Sequence, residues 1–257
     1  MNKILTTLTL LLLVNSLFGQ NRSNFHHIIK KAHIESHYLP LVYKDKNGKV
    51  QNVTVCSPKL DGIITLDKGV PVIDFWAIID SEHADKPNCI SKNTELGRFE
   101  LDLSRKTVGD PTKYVIVPFT AWTFGVGTTP FRYRPKADSS SSTVSSNLGL
   151  SISYGKTWGV SKISPRSITN LSFTIGPFLG LSSVDLKKST VKNPSTWKTD
   201  RTNVAFSYGI NAIVARNNLG LVFSLGFDKN LGQDSNKWSY QNKPWFGLGI
   251  NTNLGIF

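Results

Sequence analysis

The second half of the chain alternates between large apolar and small polar side chains. In NLGLSISYG, residues 147–155, one face carries Leu150, Ile152 and Tyr154, and the other carries Gly and Ser. Alternation with a period of two predicts strands whose two faces meet different surroundings. The same pattern predicts further strands at residues 120–128, 170–184, 203–215, 219–227 and 246–256.

The smaller face of these strands is built from Gly, Ser, Ala, Thr and Asn, with little charge. A soluble sandwich usually turns more polar and charged side chains toward water. Small side chains suit the interior of a narrow barrel whose large apolar residues face lipid. We therefore predict an all-β fold, a small antiparallel up-and-down membrane β-barrel of about eight strands with a short N-terminal region. A soluble β-sandwich is the alternative.

The connections between these strands differ in length, as they do in bacterial barrels. Residues 216–218 form a tight turn, whereas residues 185–201 and 229–243 are long and polar, and residues 137–146 are rich in serine. Long loops outside and short turns in the periplasm are typical of outer-membrane barrels. Two weaker segments, residues 98–106 and 112–119, would bring the number of strands to about eight.

The first 19 residues have the pattern of a secretory signal peptide. Lys3 precedes an apolar run over residues 4–14 that is too short to span a bilayer, and cleavage is expected between Gly19 and Gln20. The sequence therefore predicts three parts. Residues 1–19 are the signal peptide, residues 20–111 form a periplasmic or plug-like region, and residues 112–257 form the barrel.

The chain is strongly basic, with a formal net charge of +13. A positive surface favours anionic partners such as lipid phosphates or acidic glycans, and export argues against nucleic acid. Its two cysteines, Cys56 and Cys89, are a candidate disulfide in an oxidising compartment.

The chain resembles outer-membrane β-barrel proteins of the Bacteroidetes type in three features: a signal peptide that ends before Gln20, Gly-rich strands and a final PWFGLGINTNLGIF. The stretch VPFTAWTFGVGTTPFRYRPK, residues 117–136, is similar to the entry segment of such barrels. The resemblance implies an outer-membrane location in a Gram-negative cell and outer-membrane lipid as surroundings. It also implies that Phe257 is a signal read by the barrel-assembly machinery. Phe257 is out of phase with Leu254 and Ile256, and a bulge in the last strand would reconcile the two.

Candidate catalytic and metal-binding residues are few. All histidines precede residue 84, and His33 and His37 have a spacing that suits one helix face but lack an evident third metal ligand. The chain has no GxSxG, HExxH or P-loop pattern, and the barrel region has no histidine to act as a base. We therefore predict no enzymatic activity, no cofactor and no metal. A barrel enzyme acting on lipid or peptide is the less favoured alternative.

The long loops carry the remaining candidate chemistry, because basic residues alternate there with aromatic ones. Such a surface suits an anionic glycan or lipopolysaccharide through charge and stacking, although headgroup anchoring is an alternative explanation. We predict a structural or binding role, with these candidate residues in the outer loops: Lys187, Lys188, Lys192, Trp197, Lys198, Arg201, Lys237, Trp238 and Tyr240.

Overall fold

The structure is a computed structural model of the 257-residue chain. It describes residues 25–30, 39, 41–44, 49–51, 59–75, 98–103, 114–138, 140–147, 149–165 and 167–256. Several predictions fall outside these residues: the signal peptide, the Cys56–Cys89 disulfide, the His33 and His37 pair, and the assembly signal at Phe257.

The chain divides into two compact units. The N-terminal unit comprises Met1–Val115 with Ser164–Ile168, and the C-terminal unit comprises Ile116–Ile163 with Thr169–Phe257. The division near residue 116 lies close to the boundary that the sequence suggested at residue 112.

The N-terminal unit contains six strands among its described residues. They are β1 (His26–Lys30), β2 (Leu41–Lys44), β3 (Val50–Gln51), β4 (Lys59–Asp67), β5 (Val70–Phe75) and β6 (Arg98–Leu101). β1 pairs with β4, β4 with β5, β5 with β6, β6 with β2, and β2 with β3, all antiparallel. β4 and β5 form a hairpin because Lys68 and Gly69 both adopt positive φ, at 49° and 80°, which suits a two-residue turn.

A histidine lies in the apolar core of this unit. His27 is fully buried in β1, and its Nδ1 accepts a hydrogen bond from the Ile64 backbone N–H at 3.3 Å. Burial lowers the pKa of His27 to about 4, since a charged imidazole would lose its hydration there. The ring is therefore neutral near neutral pH and acts as a hydrogen-bond acceptor in the core.

The C-terminal unit is built from long strands. They are β7 (Val115–Arg134), β8 (Thr143–Ser145), β9 (Gly149–Ser164), β10 (Ser167–Leu186), β11 (Arg201–Arg216), β12 (Leu219–Asn230) and β13 (Pro244–Ile256). The hydrogen-bonded order is β7-β9-β10-β11-β12-β13, and β13 pairs back onto β7, while β8 pairs with β7 alone. The pairing of these six strands thus returns to its starting strand.

The prediction of an all-β, antiparallel fold is confirmed, but the strand count is wrong. The described residues form thirteen strands, and seven of them, β7 to β13, lie in the C-terminal unit, where about eight were expected. Residues 115–119 and 120–128, which were expected to lie in separate strands, belong to the single strand β7, and Pro118 lies within it without a turn. The other weak segment contributes β6, which belongs to the N-terminal unit.

The two faces of the long strands have opposite polarity. On β10, Leu171 and Leu181 are each 55% exposed, whereas Ser172 and Ser182 are at most 5% exposed. The same alternation runs along β9, β11, β12 and β13, with Ser, Thr, Asn and Gly on the buried face. Polar hydrogen bonds link this face across strands, as between the Thr123 and Thr157 hydroxyls at 2.8 Å. Most of the large apolar side chains of these strands are therefore exposed, whereas Phe178, Ile213 and Trp245 are buried.

The last strand contains two register shifts against β7. One lies between Leu248 and Ile250, and the other between Asn253 and Gly255. A bulge moves the residues that follow it to the opposite phase. Both shifts lie before Phe257, which is outside the described residues, so its role as an assembly signal stays a prediction.

None of the residues that the structure describes belongs to a helix with the length and hydropathy needed to cross a membrane.

Candidate functional site

Two loops join at one end of the C-terminal unit. We call residues 187–200 and 231–243 the loop cap. Backbone hydrogen bonds connect them, from Lys192 N–H to the Lys237 carbonyl at 2.9 Å and from Ser239 N–H to the Thr190 carbonyl at 3.0 Å. A β-bridge joins Val191 to Trp238. The two predicted ligand-binding loops are therefore one hydrogen-bonded structure.

The structure places Trp238 and Tyr240 inside the protein. Each is 2% exposed, and they pack in a cluster with Val184, Leu186 and Val191. The Tyr240 hydroxyl donates a hydrogen bond to the Ser141 carbonyl, and burial raises the pKa of Tyr240. Sequence reasoning put both rings on an outer binding surface, whereas the structure buries them beneath it.

The predicted basic residues lie at the surface of the loop cap or beside it. Lys187, Lys188, Lys192, Lys198 and Lys237 are exposed. Three of the predicted cations have carboxylate partners. Asp185 lies 3.3 Å from the Lys187 amine, and Asp234 lies 2.9 Å from both Arg201 and Lys237.

Asp234 and Trp197 hold Arg201 in place. The hydrogen bond from Lys237, and then the charges of Lys237 and Arg201, hold the pKa of Asp234 below its usual value. The Arg201 guanidinium also lies 5.2 Å from the centre of the half-buried Trp197 ring. Part of the predicted basic and aromatic surface is thus used in contacts within the chain.

A buried charge network that sequence reasoning missed lies below the loop cap, on the buried face of the strands. Asp228 accepts hydrogen bonds from Arg132 Nη1 at 3.1 Å and from Arg134 Nη2 at 2.5 Å. All three side chains are at most 4% exposed. Two arginines therefore share one carboxylate in the interior of the unit.

Hydroxyl groups and an indole ring complete this network. Arg132 Nη1 donates to the hydroxyls of Ser182 at 2.8 Å and Ser207 at 3.2 Å, and Ser207 donates to Asp228 at 2.7 Å. The Arg132 guanidinium lies 4.4 Å from the centre of the Trp245 ring. Charge-assisted hydrogen bonds and the cation–π contact together compensate the guanidinium for its lost hydration.

The Trp245 ring fits because glycine faces it. A Cβ atom on Gly226 would lie 2.5 Å from the ring, and one on Gly247 would lie 2.7 Å from it. Real carbon atoms do not approach so closely, so a side chain at either position would displace the indole. The small residues that the sequence analysis noted therefore make room for the large ring that supports Arg132.

The sequence contained one signal for the buried arginines. Strict alternation from Trp122 would put Arg132 and Arg134 on the exposed face. The register shift that separates Thr128 from Phe131 reverses the phase, so both arginines lie on the buried face. Pro130 falls at this shift, and proline within a strand is typical of bulges.

A cavity of about 320 Å³ lies at the same end of the unit. Its wall includes Arg134, residues 143–147, the end of β10 and part of the loop cap. Serine and threonine hydroxyls dominate the lining, with Trp238 and Tyr240 along one side. Within the described part of the chain, no group of three or more His, Cys, Asp or Glu residues is arranged to hold a metal ion.

Comparison with known proteins gives no match: no protein-family model, no curated protein and no solved structure is similar to this chain.

Proposed function

We propose that the C-terminal unit is a small β-barrel embedded in the outer membrane, with a structural or binding role at its loop-cap end. The observation that carries the proposal is the continuous apolar face of the strands. Large exposed residues follow one another at every second position, for example Leu219, Leu221, Phe223 and Leu225 on β12. An apolar surface of this extent marks a membrane or protein contact, because a soluble surface tolerates only small apolar patches.

The height of the apolar band supports a bilayer as the contact. On β10 it runs from Leu171 to Leu181, which is about 33 Å along a strand. At a tilt of about 45° this gives a height of about 23 Å, close to the ~25 Å band of outer-membrane barrels. Exposed Arg216 and Lys229 lie near opposite ends of the band, where charged groups reach the headgroups.

One cation interrupts the band. Lys156 lies between Tyr154 and Trp158 on the exposed face of β9, and its amine is 5.3 Å from the centre of the Trp122 ring. The ring offers partial compensation for the ammonium charge. The long aliphatic stem of Lys156 also lets its ammonium group reach toward polar surroundings.

The interior of the proposed barrel favours a role in anchoring or binding over transport through a pore. A ring of six strands would be narrower than the eight-stranded barrels that are the smallest usual outer-membrane type. In a barrel this narrow, side chains fill the lumen, which agrees with the close-packed Gly, Ser and Thr of the buried face.

The remaining parts of the proposal come from the sequence. Export follows from the signal peptide at residues 1–19, and insertion by the barrel-assembly machinery follows from the resemblance of the last strand. The exposed lysines of the loop cap, among them Lys188 and Lys198, would face outward and favour an anionic glycan or lipopolysaccharide.

Tryptophan fluorescence in lipid vesicles tests the proposal. One single-tryptophan variant keeps Trp122, which is 44% exposed in the apolar band, and its matched control keeps Trp245, which is fully buried. In vesicles containing brominated lipid tails, we expect strong quenching of Trp122 and little quenching of Trp245. The gel mobility of the unboiled protein should also differ from that of the boiled protein.

A soluble sandwich would give a different result. The protein would be recovered in buffer without detergent, its gel mobility would not change on boiling, and brominated lipid would quench neither tryptophan. That combination would reject the membrane barrel.

A further inference from the structure

The cavity beside Arg134 has the lining of a binding site for a polar ring. Its volume is about 320 Å³, at the lower end of the range of ligand pockets. Ser145, Ser189 and Thr190 supply hydroxyls, and Trp238 and Tyr240 supply an apolar side. A lining of this composition suits a small polyhydroxylated ligand.

The charges around this cavity do not balance. Lys187 and Asp185 both line the cavity and pair with each other, at 3.3 Å. Arg134 also lines it, but shares Asp228 with Arg132. One positive charge is therefore in excess among these five groups. A buried excess charge is costly unless a counter-ion approaches it.

Arg134 also has unused hydrogen-bonding capacity. Its Nη1 donates to the Ser145 hydroxyl and its Nη2 to Asp228, but the buried Nε has no hydrogen-bond partner. A guanidinium carries five N–H donors, and buried donors are normally paired. The charge excess points to an anion near Arg134, and the unpaired Nε shows that the same guanidinium is incompletely satisfied within the chain.

We propose that this cavity binds one acidic sugar unit, whose anionic group neutralises Arg134 and whose ring hydroxyls bond to the surrounding serine and threonine side chains. This inference rests on the binding role proposed for the loop-cap end, and it names the ligand class. Two kinds of ligand share the required chemistry: a uronic acid with a carboxylate, and a sugar phosphate.

Calorimetric titration of the full-length protein in detergent distinguishes these ligands. The probes are glucuronate, glucose 1-phosphate and neutral glucose. We expect at least one of the anionic sugars to bind at least tenfold more tightly than glucose, since a hydrogen bond to a charged group contributes about that much to affinity. Tighter binding of glucuronate would identify a carboxylate ligand, and tighter binding of glucose 1-phosphate would identify a phosphate ligand.

Two variants test the site itself. Arg134→Gln leaves Arg132 paired with Asp228, so the protein should fold and lose at least tenfold in affinity for the anionic sugar. Ser189→Trp should block the cavity from its exposed rim without altering the charge network. Ser195→Trp is the control, since Ser195 is exposed in the loop cap but does not line the cavity.

Unchanged affinity in folded Arg134→Gln or Ser189→Trp protein would overturn the site, and so would the failure of both anionic sugars to bind the folded wild-type protein. The gel-mobility test on the same samples separates this inference from the proposed function. A heat-modifiable protein without sugar binding rejects the site alone. A protein that binds the sugar but shows no heat shift rejects the membrane barrel alone.

Discussion

Replacing Asp228 by Asn is expected to destabilise the C-terminal unit strongly. The carboxylate is 1% exposed and accepts hydrogen bonds from both Arg132 and Arg134, as well as from Ser207. Asn keeps the shape of the side chain but replaces one acceptor oxygen with an NH₂ group and removes the negative charge. Two buried guanidinium groups would then remain without a counter-ion.

The size of the effect follows from this burial. Removing one partner of a buried ion pair typically costs about 3–5 kcal/mol, because the remaining charge is left uncompensated. At about 1.4 kcal/mol per tenfold change, the unfolding equilibrium constant should rise by two to nearly four powers of ten.

Urea denaturation in detergent, followed by tryptophan fluorescence, measures this loss. The matched control is Asp234→Asn, which makes the same chemical change at a more accessible carboxylate that also has two cationic partners. Exposed ion pairs contribute little to stability, so the control should unfold at nearly the wild-type urea concentration. Equal midpoints for Asp228→Asn and Asp234→Asn would refute the reasoning that the buried network stabilises the fold.

Three further changes test other parts of the structure. Ile175→Lys, within the proposed lipid-facing band, should destabilise the protein in vesicles by about 2–4 kcal/mol. Ser183→Lys, which lies beyond the band, is the control and should cost much less. Equal urea midpoints for the two variants would contradict the membrane assignment. Gly226→Ala should place a methyl group against the Trp245 ring, cost about 1–3 kcal/mol and alter its fluorescence; an unchanged spectrum and stability would argue against the tight contact. Because the folded pKa of His27 is about 4, below the 6.5 of an unperturbed His, the N-terminal unit should lose on the order of 3 kcal/mol as pH falls from 6.5 toward 4. Hydrogen exchange in β4 measures this loss, and His27→Gln should flatten that part of the profile; an equally steep profile in the variant would exclude His27 as its source.

The alternation of side chains was enough to predict β9 to β13 and the polarity of their faces, but not the full extent of β7 or the short strand β8. Large residues at every second position, such as Leu171 and Phe173, identify a strand without further information. The turn at residues 216–218 was also predicted correctly, and Asn217 adopts there the positive φ, 56°, that asparagine tolerates.

The charge network was not predictable by counting residues, because the bulge at Pro130 changes which face Arg132 and Arg134 occupy. A single inserted residue reverses the phase of everything beyond it. The burial of Trp238 and Tyr240 was missed for another reason. Their neighbours in sequence are polar, and the apolar residues that cover them, such as Val184 and Val191, come from distant parts of the chain.

The closing pair of strands has a consequence for how the C-terminal unit is made. β13 pairs with β7, and Phe246 is aligned with Tyr133, a partner more than a hundred residues earlier in the chain. Bringing such distant segments together costs chain entropy that only the completed contact repays. The part of β7 that pairs with β13 therefore stays unpaired until the last strand of the chain has joined the sheet. Protection of that edge is then a requirement of biogenesis, and its absence would favour aggregation over assembly.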